Sequence, residues 1–278
     1  YIHALQIKFR FDDNINLNNI YVGPNRISPQ AHDFVMEMRD RHGMAWADIN
    51  NDELLDVFIT RGGLKGTMQD VPLDFWDELL VQSPLGMKDL GKELGLAKNG
   101  CPGRQTAWID YNADNRLDIY IVCGRFYGSS SNMLFEQAHN GDSFTNVAKQ
   151  VGLDIPANGS FVWLDSDLDG DMDLFYSDSH GKFIVYVNEK GSFLSNSIKV
   201  DGAFGISDKL TIGDYDNDGD LDIFSASRRG NVLFINHKGI FSAIKPDSIG
   251  LPDKSIYANW VDYDNDGFLD LHTVPDGL

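Results

Sequence analysis

One short stretch decides the fold of this chain: Asp214-Tyr215-Asp216-Asn217-Asp218-Gly219-Asp220-Leu221-Asp222. Counted from its first aspartate, positions 1, 3, 5 and 9 carry carboxylates that can converge on one point. The glycine at position 6 permits a positive φ that turns the loop back on itself, so the carbonyl of position 7 faces the same point. Such an all-oxygen donor set is typical of a calcium site, but a solvated acidic turn has the same residues. Recurrence of the stretch decides between these readings.

The same pattern occurs at five places. Its first aspartates are Asp48, Asp110, Asp165, Asp214 and Asp262, separated by 48 to 62 residues. We number these loops, and the repeat units that contain them, one to five. A tryptophan stands two positions before the first aspartate in every unit except unit four, which has Ile212. Repeats of this length predict a solenoid, a propeller or another array, and chance no longer explains the pattern.

We expect each loop to hold one calcium ion through the side chains at positions 1, 3, 5 and 9 and the backbone carbonyl at position 7. The expected ligands are Asp48, Asn50, Asp52, Leu54 and Asp56 in loop one; Asp110, Asn112, Asp114, Arg116 and Asp118 in loop two; Asp165, Asp167, Asp169, Asp171 and Asp173 in loop three; Asp214, Asp216, Asp218, Asp220 and Asp222 in loop four; and Asp262, Asp264, Asp266, Phe268 and Asp270 in loop five. The sequence thus predicts up to five calcium ions.

Two loops lack the glycine at position 6. Glu53 takes its place in loop one, where a positive φ is costly, so we expect this site to be the weakest. Asn115 in loop two tolerates the left-handed region at lower cost. The loops are not EF-hands, because position 12 holds no glutamate and a strand pattern follows. Magnesium suits them less than calcium, because it demands compact octahedral geometry and retains its waters.

The chain is strongly acidic, with 42 acidic and 23 basic residues and a formal charge of -19. We expect it to repel nucleic acids and anionic membranes, since no basic cluster offsets the excess. No run of about 18 apolar residues is present to span a membrane. Of the 42 acids, 18 are expected side-chain ligands, and five Ca²⁺ ions would change the formal charge from -19 to -9.

Each unit reads as strand, acidic loop and three further strands. Strand patterns after the loops include 132–135, 183–187, 231–235 and 240–244, and several units end in Gly-Leu. One unit is therefore a four-stranded antiparallel sheet, and radial repetition of such sheets makes a β-propeller. We predict an all-β chain that forms one five-bladed propeller domain over residues 1–278.

The last unit is incomplete, because the chain ends eight residues after Asp270. Residues 1–40 lack the acidic motif but contain strand patterns, and we expect them to complete the last blade, leaving 41–278 for the five repeats. The alternative is a fragment of a larger propeller. The chain starts at Tyr1 without a signal-like segment, so either a leader was removed or the chain was cut from a longer protein.

The acidic core and its upstream tryptophan resemble FG-GAP/VCBS-type repeats over roughly residues 40–278. These repeats occur in integrin α-chain heads and in UnbV-like and cartilage-acidic-protein-like extracellular proteins. The resemblance implies a propeller in which each loop joins the first two strands of a blade and holds calcium. It also implies an extracytoplasmic role in binding or adhesion more often than catalysis. The sequence departs from the family at Ile212, Glu53 and Asn115.

The remaining motif residues have structural interpretations. We expect Trp46, Trp108, Trp163 and Trp260 to pack between blades rather than to stack on a ligand. The seven histidines are scattered and form no zinc-binding pair. Cys101 and Cys123 are the only cysteines. If Asp110 lies opposite Asp118, Cys123 lies opposite Gln105, and a turn at 101–103 can close the gap; a disulfide and two free thiols stay equally open.

The sequence contains no nucleophile elbow, P-loop or dinucleotide-binding glycine pattern. We therefore expect a non-enzymatic, calcium-binding module outside the cytoplasm: secreted, at the cell surface or in the periplasm. Its partner would be a protein or a glycan, not nucleic acid, and the chain would not insert into a membrane. Candidate contact loops are Arg61–Ser83 and Gly124–Ser131, with Trp76, Phe126 and Tyr127. The alternative is a carbohydrate-active enzyme or its accessory propeller, since a carboxylate pair would suffice for glycoside hydrolysis.

Overall fold

The computed structural model describes residues 21–22, 25–26, 41–62, 77–96, 101–124, 131–198 and 209–274. These ranges contain all five acidic loops. Most of the N-terminal strands predicted within residues 1–40 lie outside the described residues, apart from a short hairpin of β1 (Tyr21–Val22) and β2 (Asn25–Arg26). Trp76, Phe126 and Tyr127 also lie outside them, so their predicted exposure stays a prediction.

Units one to four each form a four-stranded antiparallel sheet whose strands follow chain order. Unit one contains β3 (Arg41–Ala47), β4 (Asp56–Arg61), β5 (Glu78–Ser83) and β6 (Gly86–Asp89). Unit two contains β7 (Gly103–Ile109), β8 (Asp118–Cys123), β9 (Met133–Gln137) and β10 (Phe144–Asn146). Unit three contains β11 (Ser160–Leu164), β12 (Asp173–Ser177), β13 (Phe183–Glu189) and β14 (Ser192–Ile198). Unit four contains β15 (Lys209–Gly213), β16 (Asp222–Ala226), β17 (Val232–His237) and β18 (Ile240–Ile244).

Unit five pairs two strands within the described residues, β19 (Tyr257–Val261) and β20 (Asp270–Val274). In all five units the acidic loop joins the first strand to the second. The aspartate at position 9 is the first residue of that second strand. The fold therefore sets the five loops at the same end of successive sheets, as the repeat predicted.

The second strand of units one to four is apolar at successive positions because both of its faces are covered. In β8, Ile119 and Ile121 pack with side chains of unit one, whereas Tyr120 and Val122 pack with those of unit three. The same alternation holds in β16, where Ile223 faces unit three and Phe224 faces unit five. Each hydrophobic cluster between neighbouring sheets thus fills one interface of the array.

Three of the four motif tryptophans pack between units, as predicted. The ring of Trp108 lies 6.1 Å from that of Phe58 in unit one, and its Nε1 donates a hydrogen bond to the carbonyl of Ala45. The ring of Trp163 lies 5.5 Å from that of Tyr120 in unit two. Trp260 packs in the same way on unit four. Trp46 is 47% exposed, since no described sheet precedes unit one.

Helix is sparse in the described ranges. A single turn, α1 (Ala148–Val151), and a 3₁₀ turn (Pro246–Ile249) each end at a glycine with a positive φ. The leucine after the first of these, Leu153, is fully buried, whereas Leu251 after the second is partly buried, so the Gly-Leu endings reverse the chain and return it toward the core. Among the described residues, no helix has the length and apolarity needed to cross a membrane.

A disulfide joins Cys101 to Cys123, whose Cα atoms lie 5.1 Å apart. The expected register was wrong by two residues, since Cys123 pairs with Gly103: Asp118 lies opposite Ile109 rather than Asp110, and a bulge between Gly103 and Gln105 shifts the strand by one residue more. A side chain could not replace hydrogen at Gly103, since a Cβ atom there would lie 2.5 Å from the Cβ of Thr60 in unit one. The bulge therefore accompanies a close approach of two sheets, which a single-hairpin pattern does not reveal.

Candidate metal centres

The aspartate at position 1 organises each loop. In loop four, Asp214 accepts hydrogen bonds from the backbone N–H groups of Asp218 and Gly219, both at 3.1 Å. The same pair of bonds, 2.8 to 3.2 Å long, forms at Asp48, Asp110, Asp165 and Asp262. The carboxylate at position 5 accepts the N–H of position 7 in every loop, as Asp218 does from Asp220 at 2.9 Å. The backbone of each loop is therefore wrapped around its own carboxylates.

The turn residue at position 6 has a positive φ in every loop, as predicted. The values are 96° at Gly170, 93° at Gly219 and 89° at Gly267. Asn115 adopts 62°, and Glu53 adopts 68° without the freedom of glycine. Loop one thus has the predicted conformation and the predicted backbone strain.

Position 4 also has a positive φ in all five loops, between 56° and 63°, which the sequence analysis missed. The residues are Asn51, Ala113, Leu168, Asn217 and Asn265. Asparagine at three of these five positions was a usable signal, because it visits the left-handed region more readily than most residues. Ala113 and Leu168 gave no such signal. The left-handed conformation at position 4 is therefore set by the hydrogen bonds of the whole loop rather than by the preference of the residue itself.

Carboxylates converge in the three loops that have aspartate at position 3. Each of three trios places one oxygen per residue within 4.8 Å of the others: Asp165, Asp167 and Asp169; Asp214, Asp216 and Asp218; and Asp262, Asp264 and Asp270. Loops one and two have Asn50 and Asn112 at position 3, where a neutral amide oxygen replaces a carboxylate. Hard oxygen donors gathered this closely suit a hard divalent cation.

The aspartate at position 9 has a second role that sequence reasoning missed. Asp222 is fully buried; one oxygen accepts the N–H of Asn236 on β17 at 2.8 Å and the other that of Tyr215 at 2.7 Å. Asp56 and Asp173 make the equivalent two bonds. In loop two, Asp118 accepts the bond from Gln137, but its second oxygen is buried without a hydrogen-bond partner among the described residues. Position 9 therefore joins loop and sheet, whatever else it binds.

Several carboxylates of the loops have a raised pKa. Burial raises the pKa of Asp118 to about 7 and that of Asp222 to about 6. For Asp167 and Asp216, burial first and then a neighbouring aspartate raise the pKa. Ionisation of these four aspartates therefore opposes folding, and a bound cation would offset this cost. The loop residues thus fit a divalent metal ion.

One histidine outside the expected ligand sets lies beside loop four, and one group of charged side chains lies away from the metal loops. Nδ1 of His237 lies 3.4 Å from a carboxylate oxygen of Asp218 and 3.8 Å from one of Asp220, although the ring is largely exposed. At the end of unit one opposite its acidic loop, Glu78 pairs with Arg41 and Arg61. Burial raises the pKa of Glu78, but these two bonds outweigh burial and lower it. Neither His237 nor the ion pairs of Glu78 were singled out from the sequence, because these residues are far along the chain from their partners or in ordinary strand positions.

The model of the FG-GAP-like repeat matches three overlapping segments, residues 110–176, 165–225 and 214–273. Together they cover more than half of the chain. The chain belongs to the FG-GAP-like repeat family. The matched FG-GAP-like segments contain loops two to five, so loop one, with Glu53 at its turn, lies outside them. A comparison with curated proteins found no match.

Among solved structures, the chain is similar to an Agrocybe aegerita lectin, described as recognising non-reducing terminal N-acetylglucosamine. The two are 18% identical with a TM-score of 0.54, and the match covers 84% of this chain. It covers 60% of the lectin chain, so the present chain spans less than two thirds of that structure. The similarity shows the fold: the FG-GAP-like repeats form a β-propeller, and their four-stranded sheets are its blades.

Proposed function

We propose that this FG-GAP-like repeat propeller is a calcium-stabilised module that binds a glycan outside the cytoplasm. One observation carries the calcium part: three carboxylate trios converge within 4.8 Å at the same end of successive units. The ligands would be the residues at positions 1, 3, 5 and 9 and the position-7 carbonyls of loops one to five. A bound Ca²⁺ supplies positive charge that holds the two strands of each hairpin together. Loop one, strained at Glu53, is the weakest of the five sites.

Calcium titration calorimetry on the whole chain tests the metal part. We expect up to five ions to bind, with magnesium at the same concentration binding much more weakly. A variant with Asp214→Asn and Asp218→Asn removes two carboxylates of loop four and should lose one ion. A wild-type protein that takes up no calcium would overturn the proposal, and so would a variant that binds as many ions as wild type.

The proposed glycan binding is supported by exposed aromatic rings in an acidic loop. The side chain of Tyr263 is 83% exposed and that of Phe268 is 57% exposed, and both belong to loop five. An exposed aromatic ring offers a flat apolar face on which a sugar ring can pack, and the polar groups around it can bond to the sugar hydroxyls. The similarity to a glycan-binding lectin supports the same class of partner. The segments Arg61–Ser83 and Gly124–Ser131 are further proposed contact loops.

A glycan array, probed with calcium and again with excess EDTA, tests this partner class. We expect binding in calcium that weakens when calcium is removed and when Tyr263 is replaced by alanine. Tyr257→Ala is the control, because Tyr257 is also exposed but lies on β19 outside the loop. Binding to a protein partner with no glycan signal would instead favour an adhesion module. Turnover of a glycoside on the same array would favour the enzyme alternative.

The extracytoplasmic location is supported by the Cys101–Cys123 disulfide, since such bonds persist mainly in oxidising compartments. Mass spectrometry of the native protein under non-reducing conditions tests this. We expect the two cysteines to be bridged in protein taken from its natural source. Two free thiols in that protein would contradict the proposed location.

A further inference from the structure

Two turns in units three and four each lie between two acidic loops. They join the third and fourth strands of their blades and have the sequences Asn188-Glu189-Lys190-Gly191 and Asn236-His237-Lys238-Gly239. We call them the Asn-x-Lys-Gly turns. In both turns the asparagine is fully buried, and lysine and glycine both have positive φ.

Each turn is bonded to the loop of its own blade. In unit four, the backbone N–H of Asn236 donates to Asp222 at 2.8 Å. The N–H of Lys238 donates to the carboxylate of Asp220 at 2.9 Å. These acceptors are positions 9 and 7 of loop four. A change in the position of loop four is therefore transmitted directly to the turn.

The same turn is also bonded to the loop of the preceding blade. The side-chain amide of Asn236 donates to the carbonyl of Ser166, position 2 of loop three, at 2.8 Å. Its side-chain oxygen accepts the N–H of Gly239 at 3.0 Å, which fixes the amide in this orientation. A Cβ atom on Gly239 would lie 3.0 Å from the Cβ of Asp167, position 3 of loop three. The turn thus presses against a proposed ligand of the neighbouring site.

The turn of unit three repeats this arrangement one blade earlier. Asn188 donates its N–H to Asp173 at 2.7 Å and its amide to the carbonyl of Tyr111 at 2.7 Å. The N–H of Lys190 donates to Asp171 at 3.1 Å. A Cβ atom on Gly191 would lie 3.3 Å from the Cβ of Asn112, position 3 of loop two. Loops two, three and four are therefore joined in series by buried hydrogen bonds.

We propose that the Asn-x-Lys-Gly turns couple loops two, three and four, so that calcium in one loop raises the affinity of its neighbours. The proposal rests on calcium binding as proposed above. A buried turn cannot follow a displaced loop on one side without losing its bonds on the other, because an unpaired buried polar group is costly. The two loops it contacts therefore favour the ordered arrangement together. Such coupling is reciprocal, and typical cases change affinity about 5-fold or more.

The first test removes the middle loop. Asp165→Asn with Asp169→Asn disables loop three, and calcium calorimetry then reports the affinity of the sites that remain. We expect these sites to weaken about 5-fold or more. Disabling loop five with Asp262→Asn and Asp266→Asn should remove one ion and leave most of the remaining sites within about 2-fold of wild type, because neither Asn-x-Lys-Gly turn touches loop five and the bond from Asn217 to Gly267 is exposed. Equal, small effects of the two variants would overturn the coupling.

The second test perturbs a turn without changing a ligand. Gly239→Ala introduces a methyl group against Asp167, whereas Gly250→Ala meets no atom within 4 Å. The two glycines have φ of 81° and 82°, so both variants carry the same backbone strain. We expect Gly239→Ala alone to reduce the calcium affinity and the steepness of the titration, while both lower the melting temperature in EDTA and Gly239→Ala does so somewhat more because of its added contact. Identical calcium titrations of the two variants would overturn the role of the turn.

The two proposals fail in different ways. If the wild-type chain takes up no calcium, the proposed function fails. If it takes up calcium with independent sites that do not respond to loss of loop three, the coupling alone fails and the calcium proposal stands. Circular dichroism of each variant in calcium shows that it has folded before its titration is compared.

Discussion

The aspartates at positions 3 and 9 of one loop differ in what they do without metal. Asp222 is buried and accepts two backbone N–H groups, whereas Asp216 is largely exposed, and partial loss of solvent together with the charge of Asp218 raises its pKa. Asp222 therefore joins loop to sheet with or without a cation, although burial also raises its pKa, whereas the charge of Asp216 opposes folding until a cation offsets it. Both residues are aspartates of the same motif, so the sequence alone does not show this difference.

This difference predicts opposite effects of substitution in EDTA. Asp222→Ala should lower the free energy of unfolding by about 3 kcal/mol, because it leaves two buried donors unpaired. Asp216→Asn should slightly raise the free energy of unfolding, because it removes repulsion from the loop. Urea unfolding followed by fluorescence measures both. In calcium, Asp216→Asn should become destabilising, and destabilisation by the same amount in both conditions would contradict the assignment.

Glu53 gives a second prediction at this scale. Its φ of 68° is relieved by glycine, so Glu53→Gly should raise the free energy of unfolding by about 1 kcal/mol and strengthen calcium binding at loop one. Asn115→Gly is the control at the same position of loop two, and its effect should be smaller because asparagine tolerates this region. Chemical denaturation of both variants measures the two changes in the free energy of unfolding. A larger gain at Asn115 than at Glu53 would contradict the strain argument.

At the scale of the element, the buried residue immediately before β5 is a titrating group away from the metal loops. Asp77 accepts the N–H of Arg61 at 2.8 Å, and its burial raises its pKa to about 7 despite that bond and the nearby Arg61 charge. The folded state therefore holds this proton more tightly than the unfolded chain does. Between the unfolded pKa of about 4 and about 7, stability falls as pH rises, and above this range the penalty is complete.

We predict that Asp77→Asn makes the free energy of unfolding less dependent on pH between about 4 and about 7. The difference in unfolding free energy between pH 5 and pH 8 should shrink by about 2 to 4 kcal/mol relative to wild type. Urea unfolding at each pH, in EDTA, measures it, and the matched control is Asp89→Asn, whose pKa is also raised by burial but less strongly. An unchanged pH dependence in the Asp77 variant would show that this carboxyl does not titrate in the window.

The elements themselves could largely be predicted from sequence, because a period-two pattern and an acidic turn recur together. The four-stranded units, the loop between the first two strands and the tryptophans between sheets all follow from that repetition. The bulge at Gly103 could not be predicted, since the close approach that accompanies it involves Thr60 of another blade. The buried bonds of Asn188 and Asn236 were missed for the same reason: their acceptors Tyr111 and Ser166 lie 70 or more residues away.

At the scale of the whole molecule, both ends of the described array have uncovered apolar side chains. Trp46 is 47% exposed on unit one and Tyr257 is 42% exposed on unit five. The tryptophans equivalent to Trp46 in units two and three pack on the preceding blade. The ring closure by residues 1–40 and the five-blade count stay predictions, and the exposed pair marks where they are to be tested.

We predict that deleting residues 1–40 lowers the melting temperature in calcium, because the last blade would lose the strands that complete it. A second variant keeps these residues but replaces Leu5, Ile7 and Phe9, apolar positions of the alternating sequence stretch 5–11, by serine, and it should reproduce much of the loss. Unfolding is followed by scanning calorimetry. A deletion variant that melts like wild type would contradict closure by these strands and favour a fragment of a larger propeller.

The central claim is that calcium in the acidic loops stabilises the propeller, and thermal unfolding with and without chelator tests it most directly. A ligand that binds only the folded chain stabilises it by linkage, so several sites should together shift the melting temperature by about 10 °C or more. We predict that melting temperature falls in excess EDTA, returns when calcium is added in excess, and returns little with magnesium. A melting temperature that is the same in calcium and in EDTA would contradict the account.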